Sequence, residues 1–145
     1  MSTLSPQASR AGTVPSGGGV PVASLYVHVP FCARKCEYCA FYSEPSKGEL
    51  VDRYVRALVR EVELVAHRLR PRTVFFGGGT PSLLTLAQWR LLLESMEKLH
   101  LLGAAEWTVE CNPATVSLDK ASLWRSFGIN RVSTPDWPDS SRCDR

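Results

Sequence analysis

The spacing of apolar residues divides the chain into short strand-like runs and longer helix-like segments that follow one another in turn. Compact apolar runs at residues 25–29, 73–76, 106–110 and 130–133 have the length and the β-branched or aromatic content of strands. Between them, apolar residues recur at steps of three and four, as they do along one face of a helix. Strands that alternate with helices predict a parallel sheet with right-handed crossovers, and therefore an α/β fold.

Capping boxes mark the starts of the first two predicted helices. Ser46 and Glu49 have this spacing, and Pro71 is expected to end the helix that they begin. Thr85 and Gln88 open the second helix in the same way. Seven apolar residues form the predicted inward face of the first helix: Val51, Tyr54, Val55, Leu58, Val62, Val65 and Leu69.

Glycines follow the second and third predicted helices. Gly103 suits the end of the second, and the third is expected over residues 117–127 with Gly128 just past its end. Five residues of the second helix are predicted to point inward: Leu86, Trp89, Leu93, Met96 and Leu99. The helices thus have one apolar face each, as expected for helices that cover a sheet.

The bulk properties are those of one modest soluble domain: of 145 residues, 44% are hydrophobic and 21% are charged. The net charge of +3 is small and dispersed, so composition gives no reason to expect nucleic acid as a partner. No apolar run approaches the roughly 20 residues of a membrane helix, so no stable membrane insertion is expected. Five cysteines without a secretory signal favour reduced thiols and a cytoplasmic location.

Composition also divides the chain into three parts. Residues 1–23 are rich in Ser, Gly, Pro and Ala and are expected to be a disordered tail, with a targeting signal as the alternative. Residues 24–133 carry the strand and helix pattern. Residues 134–145 have no periodicity, which predicts an aberrant tail of a truncated or frame-shifted chain; a natural short tail is the alternative.

Three cysteines, Cys32, Cys36 and Cys39, follow the first predicted strand with the spacing C-x3-C-x2-C. Three thiolates on one tight loop can bind three irons of a four-iron cluster and leave the fourth iron open to a small molecule. A structural zinc site is the alternative, and it needs a fourth ligand. The candidates for that ligand are His28, Cys111 and Cys143.

The other unusual segments also fall at the ends of predicted strands, where parallel sheets collect their chemistry. The run Gly77-Gly78-Gly79-Thr80 lets the backbone approach the ammonium or carboxylate of an amino acid, or simply forms a tight turn. Glu110 could accept hydrogen bonds from a ribose or an ammonium group, although strand-end glutamates are common.

Three aromatic or imidazole side chains and one further thiol flank these segments. Tyr26 and Tyr38 are candidates for packing beside a cluster and its ligand, with ordinary packing as the alternative for each. His28 is expected to have a structural role next to the cysteine loop, and Cys111 to be a small buried hydrophobic residue.

Together these motifs resemble the radical S-adenosylmethionine (SAM) superfamily, whose C-x3-C-x-aromatic-C signature has Tyr38 as its aromatic here. Within it, segments 25–32, 75–82 and 110–113 resemble the group of oxygen-independent coproporphyrinogen III oxidases and HemW haem chaperones. The resemblance extends from residue 24 to about residue 133. It implies a partial (β/α) TIM-like barrel, truncated after about four strands.

The resemblance also implies the cofactors and their ligands, while no catalytic side chain is assigned. Cys32, Cys36 and Cys39 would bind a [4Fe–4S] cluster. Six residues would line the site for SAM: Tyr26, Tyr38, Gly78, Gly79, Thr80 and Glu110.

Phe41 stands where the oxidases tend to carry one more cysteine, which favours a haem chaperone. Such a protein would bind haem, pass it to acceptor proteins and take electrons from a flavodoxin-type reductant. The alternative is the enzyme, an oxidase that decarboxylates coproporphyrinogen III. From Thr134 onward the family's Gly-Val-Gln-Ser-Phe-like run is not matched, so we expect the barrel to stop there with exposed apolar faces.

Overall fold

The computed structural model describes residues 21–33, 44–45 and 48–134. Six strands and three α-helices lie in this part of the chain. In chain order they are β1 (Val22–Val29), β2 (Phe31–Cys32), β3 (Glu44–Pro45), α1 (Gly48–Val65), β4 (Leu69–Gly78), α2 (Leu86–Lys98), β5 (Glu106–Glu110), α3 (Leu118–Ser126) and β6 (Arg131–Ser133). Three short 3-10 turns supplement them, at Ala66–Arg68, Pro81–Leu83 and Pro113–Thr115.

Four of the strands form one parallel sheet in the order β1-β4-β5-β6. In its register Val27 lies opposite Phe76, and Phe76 opposite Val109. All four carboxyl ends therefore meet at one edge of the sheet. The α/β prediction is confirmed. The pair of two-residue strands β2 and β3, also parallel, was not predicted from the sequence.

The core lies between one face of the sheet and the helices. Strand residues on this face, such as Val29, Val74 and Val109, are at most 1% exposed. Phe76 packs between Trp89 of α2 and Trp107 of β5, with ring centroids 5.1 and 6.1 Å away. Burial of such large side chains, at about 25 cal/mol per Å² of apolar surface, holds the helices against the sheet.

The end of the first helix differs from the prediction. α1 ends at Val65, which is 38% exposed instead of inward, and Leu69 begins β4 instead of continuing the helix. Pro71 lies inside β4, where the register between β1 and β4 is irregular from Val22 to Ser24. An irregularity of this kind accepts a proline, which has no N–H for the ladder. Proline therefore marked a bulge and not a helix end.

The predicted capping box of the second helix is confirmed: the Gln88 N–H donates to Thr85 Oγ1 over 3.2 Å, and the Thr85 N–H donates to Gln88 Oε1 over 2.8 Å. The helix ends at Lys98, before the expected Gly103, and His100 takes a positive φ of 57°. Of the five predicted inward residues, three are buried and two partly buried against the core: Trp89, Leu93 and Met96, then Leu86 and Leu99.

The third helix matches its prediction closely. The Ser117 side chain caps α3 by accepting a hydrogen bond from the Lys120 N–H, and Gly128 follows with φ +95°. Several predictions, however, lie outside the described residues: the Ser46 cap, the disordered state of residues 1–20 and the aberrant tail from 135 onward. The end of the predicted disordered tail, residues 1–23, was wrong, because β1 already begins at Val22. No helix in the described ranges is long and apolar enough to cross a bilayer.

Candidate functional site

The candidate site lies on the face of the sheet opposite the helices, at the carboxyl ends of β1, β4 and β5. Because strand residues alternate between faces, Tyr26 and His28 point away from the core and lie beside Phe75 and Gly77 of β4. Glu110 occupies the same edge on β5. Tyr26 is 56% exposed, so this face of the sheet is open to solvent at Tyr26.

Tyr26 forms an aromatic surface with a polar rim. Its ring stacks on Phe75 with centroids 5.9 Å apart, and its hydroxyl lies 3.1 Å from His28 Nδ1. Partial burial, and then the negative charge of Glu110, raise the pKa of Tyr26 above its usual 10.0. The phenol is therefore neutral at physiological pH and available as a hydrogen-bond donor.

Tyr54 of α1 holds the end of β1. Its hydroxyl donates to the backbone carbonyl of His28, and its ring meets Phe31 edge-on with centroids 5.2 Å apart. Sequence reasoning placed Tyr54 on the inward face of the helix without this polar role. The spacing of apolar residues along a helix does not reveal which group the hydroxyl of a tyrosine contacts. The hydrogen bond from Tyr54 to His28 could therefore be seen only in the structure.

Three consecutive glycines are required by contacts within the chain. A Cβ on Gly77 would lie 2.9 Å from Glu110 Oε2, and one on Gly79 would lie 2.5 Å from the carbonyl oxygen of Phe31. Gly78 has φ +113°, and a Cβ there would lie 2.5 Å from the His28 ring. The turn after β4 therefore packs directly on the residues around it, which side chains at these positions would prevent.

Backbone hydrogen bonds tie the glycine turn to its neighbours on both sides. The Gly78 N–H donates to Glu110 Oε2 over 3.1 Å. The N–H groups of Gly79 and Thr80 donate to the carbonyls of Val29 and Phe31, each over 2.7 Å. The turn thus joins the strand-end carboxylate to the segment that leads into the cysteine motif.

Cys32 is the one motif cysteine within the described residues. It ends β2 and is half-buried. The Thr80 hydroxyl donates a hydrogen bond to Cys32 Sγ, with 3.9 Å between the oxygen and the sulfur. A hydroxyl aimed at sulfur suits a thiolate ligand, because donors around ligating sulfurs tune a metal centre. The predicted ligands Cys36 and Cys39 and the predicted SAM contact Tyr38 lie outside the described residues.

Two of the side chains considered for a zinc site lie in different surroundings. His28 is exposed, while Cys111 is 4% exposed and its pKa is raised by burial, in agreement with the small buried hydrophobic residue that we predicted. Across 21–33, 44–45 and 48–134, no three potential metal ligands converge. The remaining candidate, Cys143, lies outside the described residues.

A polar cluster, formed by the buried residues Ser82 and Lys120, the half-buried Thr115 and the exposed Asn112, links the turns that follow β4 and β5. The Thr115 hydroxyl donates to the Asn112 carbonyl over 2.8 Å, so Ser82 Oγ donates its own proton to Thr115 Oγ1, 2.5 Å away. The same Ser82 oxygen accepts from the Asn112 N–H over 3.0 Å. Sequence reasoning gave Lys120 no role, because most lysines are exposed.

The family model of the radical SAM superfamily matches residues 26–135, and the chain belongs to this superfamily. Membership implies a [4Fe–4S] cluster and SAM as cofactors. The parallel sheet with its helices confirms the predicted partial (β/α) barrel, and the predicted family is confirmed as well.

Known relatives come from two groups within the superfamily. The chain is 40% identical over 119 residues to heme chaperone HemW of Escherichia coli (strain K12), covering 79% of this chain and 32% of that protein. It is 36% identical over 117 residues to the oxygen-independent coproporphyrinogen III oxidase of Bradyrhizobium diazoefficiens, covering 77% and 26%.

The solved structure of coproporphyrinogen III oxidase HemN from Escherichia coli, a radical SAM enzyme, superposes with a TM-score of 0.69 at 31% identity. The match covers 79% of this chain and 27% of that one. The chain therefore spans between about a quarter and a third of the length of these relatives.

Proposed function

We propose that this chain is the N-terminal part of a HemW-like haem chaperone that binds a [4Fe–4S] cluster and SAM, and that it hands haem to acceptor proteins. The observation that carries the proposal is the placement of the glycine turn. Through Gly78 it contacts Glu110, and through Thr80 it contacts Cys32. One sheet edge thereby gathers the proposed cluster ligand Cys32, a tightly packed glycine turn and a carboxylate.

The residues at this edge fit the implied cofactors. Cys32, with Cys36 and Cys39, would hold the cluster, which supplies one-electron reduction of a bound sulfonium. Tyr26 offers an aromatic surface and a neutral hydroxyl. Glu110 offers the free acceptor capacity of a carboxylate that uses one oxygen on Gly78. The chain would thus orient SAM through contacts on both sides of the turn.

Phe41 supports the chaperone over the oxidase, which is the second candidate. Relatives named as haem chaperones and a relative named as an oxidase match this chain at similar identity, so overall similarity does not separate them. The presence of Phe41 in place of a further cysteine favours the chaperone. Haem, an acceptor protein and a flavodoxin-type electron donor in the cytoplasm would then be its partners.

Anaerobic reconstitution with iron and sulfide, followed by EPR of the dithionite-reduced protein with and without SAM, tests the cofactor part. A four-iron signal that changes when SAM is added is the expected result. A soluble protein that holds zinc and contains no acid-labile sulfide would overturn the cluster. A four-iron signal that does not respond to SAM would contradict the SAM site.

Haem titration and product analysis separate the two candidates. The reconstituted protein should bind haem stoichiometrically, seen in the haem absorbance, and should release no carbon dioxide from coproporphyrinogen III with SAM and reductant. Decarboxylation of two propionates would favour the oxidase. The Cys36→Ala variant, which should lack the cluster, is the matched control for both measurements.

A further inference from the structure

We propose that Lys120 is a positioning residue for the SAM site, because its ammonium holds the turns after β4 and β5 in the arrangement in which Gly78 meets Glu110. The inference rests on the proposed function where it concerns SAM. Its geometric part, the link between Lys120 and the Gly78–Glu110 contact, does not depend on a cofactor.

The ammonium of Lys120 bridges two segments of the chain. Its Nζ donates to the carbonyl of Ser82 over 2.7 Å and to the carbonyl of Thr115 over 2.8 Å. Ser82 lies in the 3-10 turn that directly follows Thr80, and Thr115 lies in the 3-10 turn that follows Asn112. One side chain from α3 therefore joins the continuations of both strands that meet at the site.

The surroundings of this lysine are unusual for its type. Lys120 is only 9% exposed, and among the described residues no carboxylate lies within salt-bridge distance of its Nζ. Burial accordingly lowers the pKa of the ammonium below its usual 10.5. A lysine placed this way gives up hydration, and the two charge-assisted hydrogen bonds to carbonyls offset that loss.

The link from Lys120 to the site consists of hydrogen bonds and two short stretches of backbone. Gly78 lies four residues before Ser82, and Glu110 lies two before Asn112, whose N–H is bound by the Ser82 hydroxyl. Loss of the ammonium leaves the buried carbonyl of Ser82 and the part-buried carbonyl of Thr115 without this donor and loosens Ser82 against Thr115. The two strand ends can then separate, and the carboxylate no longer faces the Gly78 amide.

Three variants distinguish positioning from general stability. Lys120→Met keeps the length and the apolar stem but removes every donor. Lys120→Arg keeps the charge and offers at least two N–H groups, so it should rescue the function. Leu123→Ala, on the same helix and 7% exposed, destabilises α3 without touching either carbonyl.

The first measurement is the SAM affinity of the reconstituted cluster by EPR titration, with iron content and urea unfolding measured on the same samples. Lys120→Met should assemble the cluster but bind SAM roughly tenfold more weakly or worse. Lys120→Arg should recover most of the loss, and Leu123→Ala should bind like the wild type despite lower stability. Equal weakening in Leu123→Ala, or unchanged binding in Lys120→Met, would overturn the positioning role.

A second measurement needs no cofactor. Amide hydrogen exchange at Gly78 reports its hydrogen bond to Glu110, and exchange should become faster in Lys120→Met while Lys120→Arg and Leu123→Ala keep the protection. If the wild type fails to respond to SAM, the proposed function is wrong, and the exchange rate at Gly78 still decides the role of Lys120. Unchanged exchange in Lys120→Met would refute it.

Discussion

The backbone N–H of Gly78 donates to the carboxylate of Glu110 over 3.1 Å, across the neighbouring strands β4 and β5. The same carboxylate oxygen lies 2.9 Å from the position that a Cβ on Gly77 would take, closer than a side chain tolerates. The glycine turn and the strand-end carboxylate therefore fit each other and cannot be changed independently.

Gly78→Ala should weaken SAM binding and lower stability more than Gly103→Ala. Both glycines have positive φ, +113° and +93°, so each alanine carries a strain of roughly 1–2 kcal/mol. Only at Gly78 must the His28 ring also move, because nothing lies within 4 Å of a Cβ on Gly103. Urea unfolding and SAM titration of both variants test this; equal losses in the two would contradict the contact.

Gly79→Ala should impair cluster assembly. Its methyl group would lie 2.5 Å from the backbone carbonyl of Phe31, so the strand that leads into the cysteine motif must shift. Gly48→Ala is the matched control, since its Cβ meets nothing within 4 Å; it should be neutral or stabilising by up to about 1 kcal/mol. Iron and sulfide contents after reconstitution measure the effect, and a normal content in Gly79→Ala argues against it.

Cys36→Ala should abolish cluster assembly, whereas Cys111→Ala should leave it intact. Cys111 is buried on the core side, and burial raises its pKa, so it remains a thiol with a packing role. Loss of its sulfur should lower the free energy of unfolding by roughly 1 kcal/mol. Iron analysis decides between the two cysteines; normal iron in Cys36→Ala would refute the ligand assignment.

The ionisation of Tyr26 should respond to Glu110. Burial, first, and the carboxylate, second, raise the pKa of this phenol above 10.0 in the folded state. The folded protein thus holds the phenolic proton more tightly than the unfolded chain. The resulting stabilisation is complete below pH 10.0 and is lost as the pH rises through the folded-state pKa.

Glu110→Gln should lower the pKa of Tyr26 toward 10.0 without reaching it, because burial persists. Ultraviolet titration of tyrosinate, compared with Tyr26→Phe in each background to isolate this phenol, provides the measurement. Glu106→Gln is a suitable control, since Glu106 pairs with Arg131 and does not contribute to the Tyr26 shift. An identical titration in Glu110→Gln and the wild type would show that burial acts alone.

Patterns of local sequence predicted most of the fold correctly. The Thr85–Gln88 capping box and the strand at residues 106–110 depend on neighbours in the chain, and both are as expected. The end of α1 was wrong because Leu69 continues a helical period while belonging to a strand, and Pro71 suits a bulge as well as a helix end. Local signals of that kind are ambiguous until strand pairing is known.

The candidate site was predictable in part, because the sequence indicates where the strands end. Gly78 and Glu110 stand at strand ends, and a parallel sheet brings such ends together whatever lies between them. Lys120 lacked any signal, because its partners are two backbone carbonyls that only the fold brings within reach. Contacts between side chains and backbone leave no periodic trace in a sequence.

The pairing of β2 with β3 has a consequence for metal capture. Phe31 and Cys32 lie opposite Glu44 and Pro45, so the pairing holds Cys32 next to the backbone of Pro45. The entropic cost of bringing these two strands together is therefore a cost of folding and not of iron binding. Binding of a metal ion by Cys32, the proposed cluster ligand, would therefore carry a smaller entropic penalty than binding by a free chain segment.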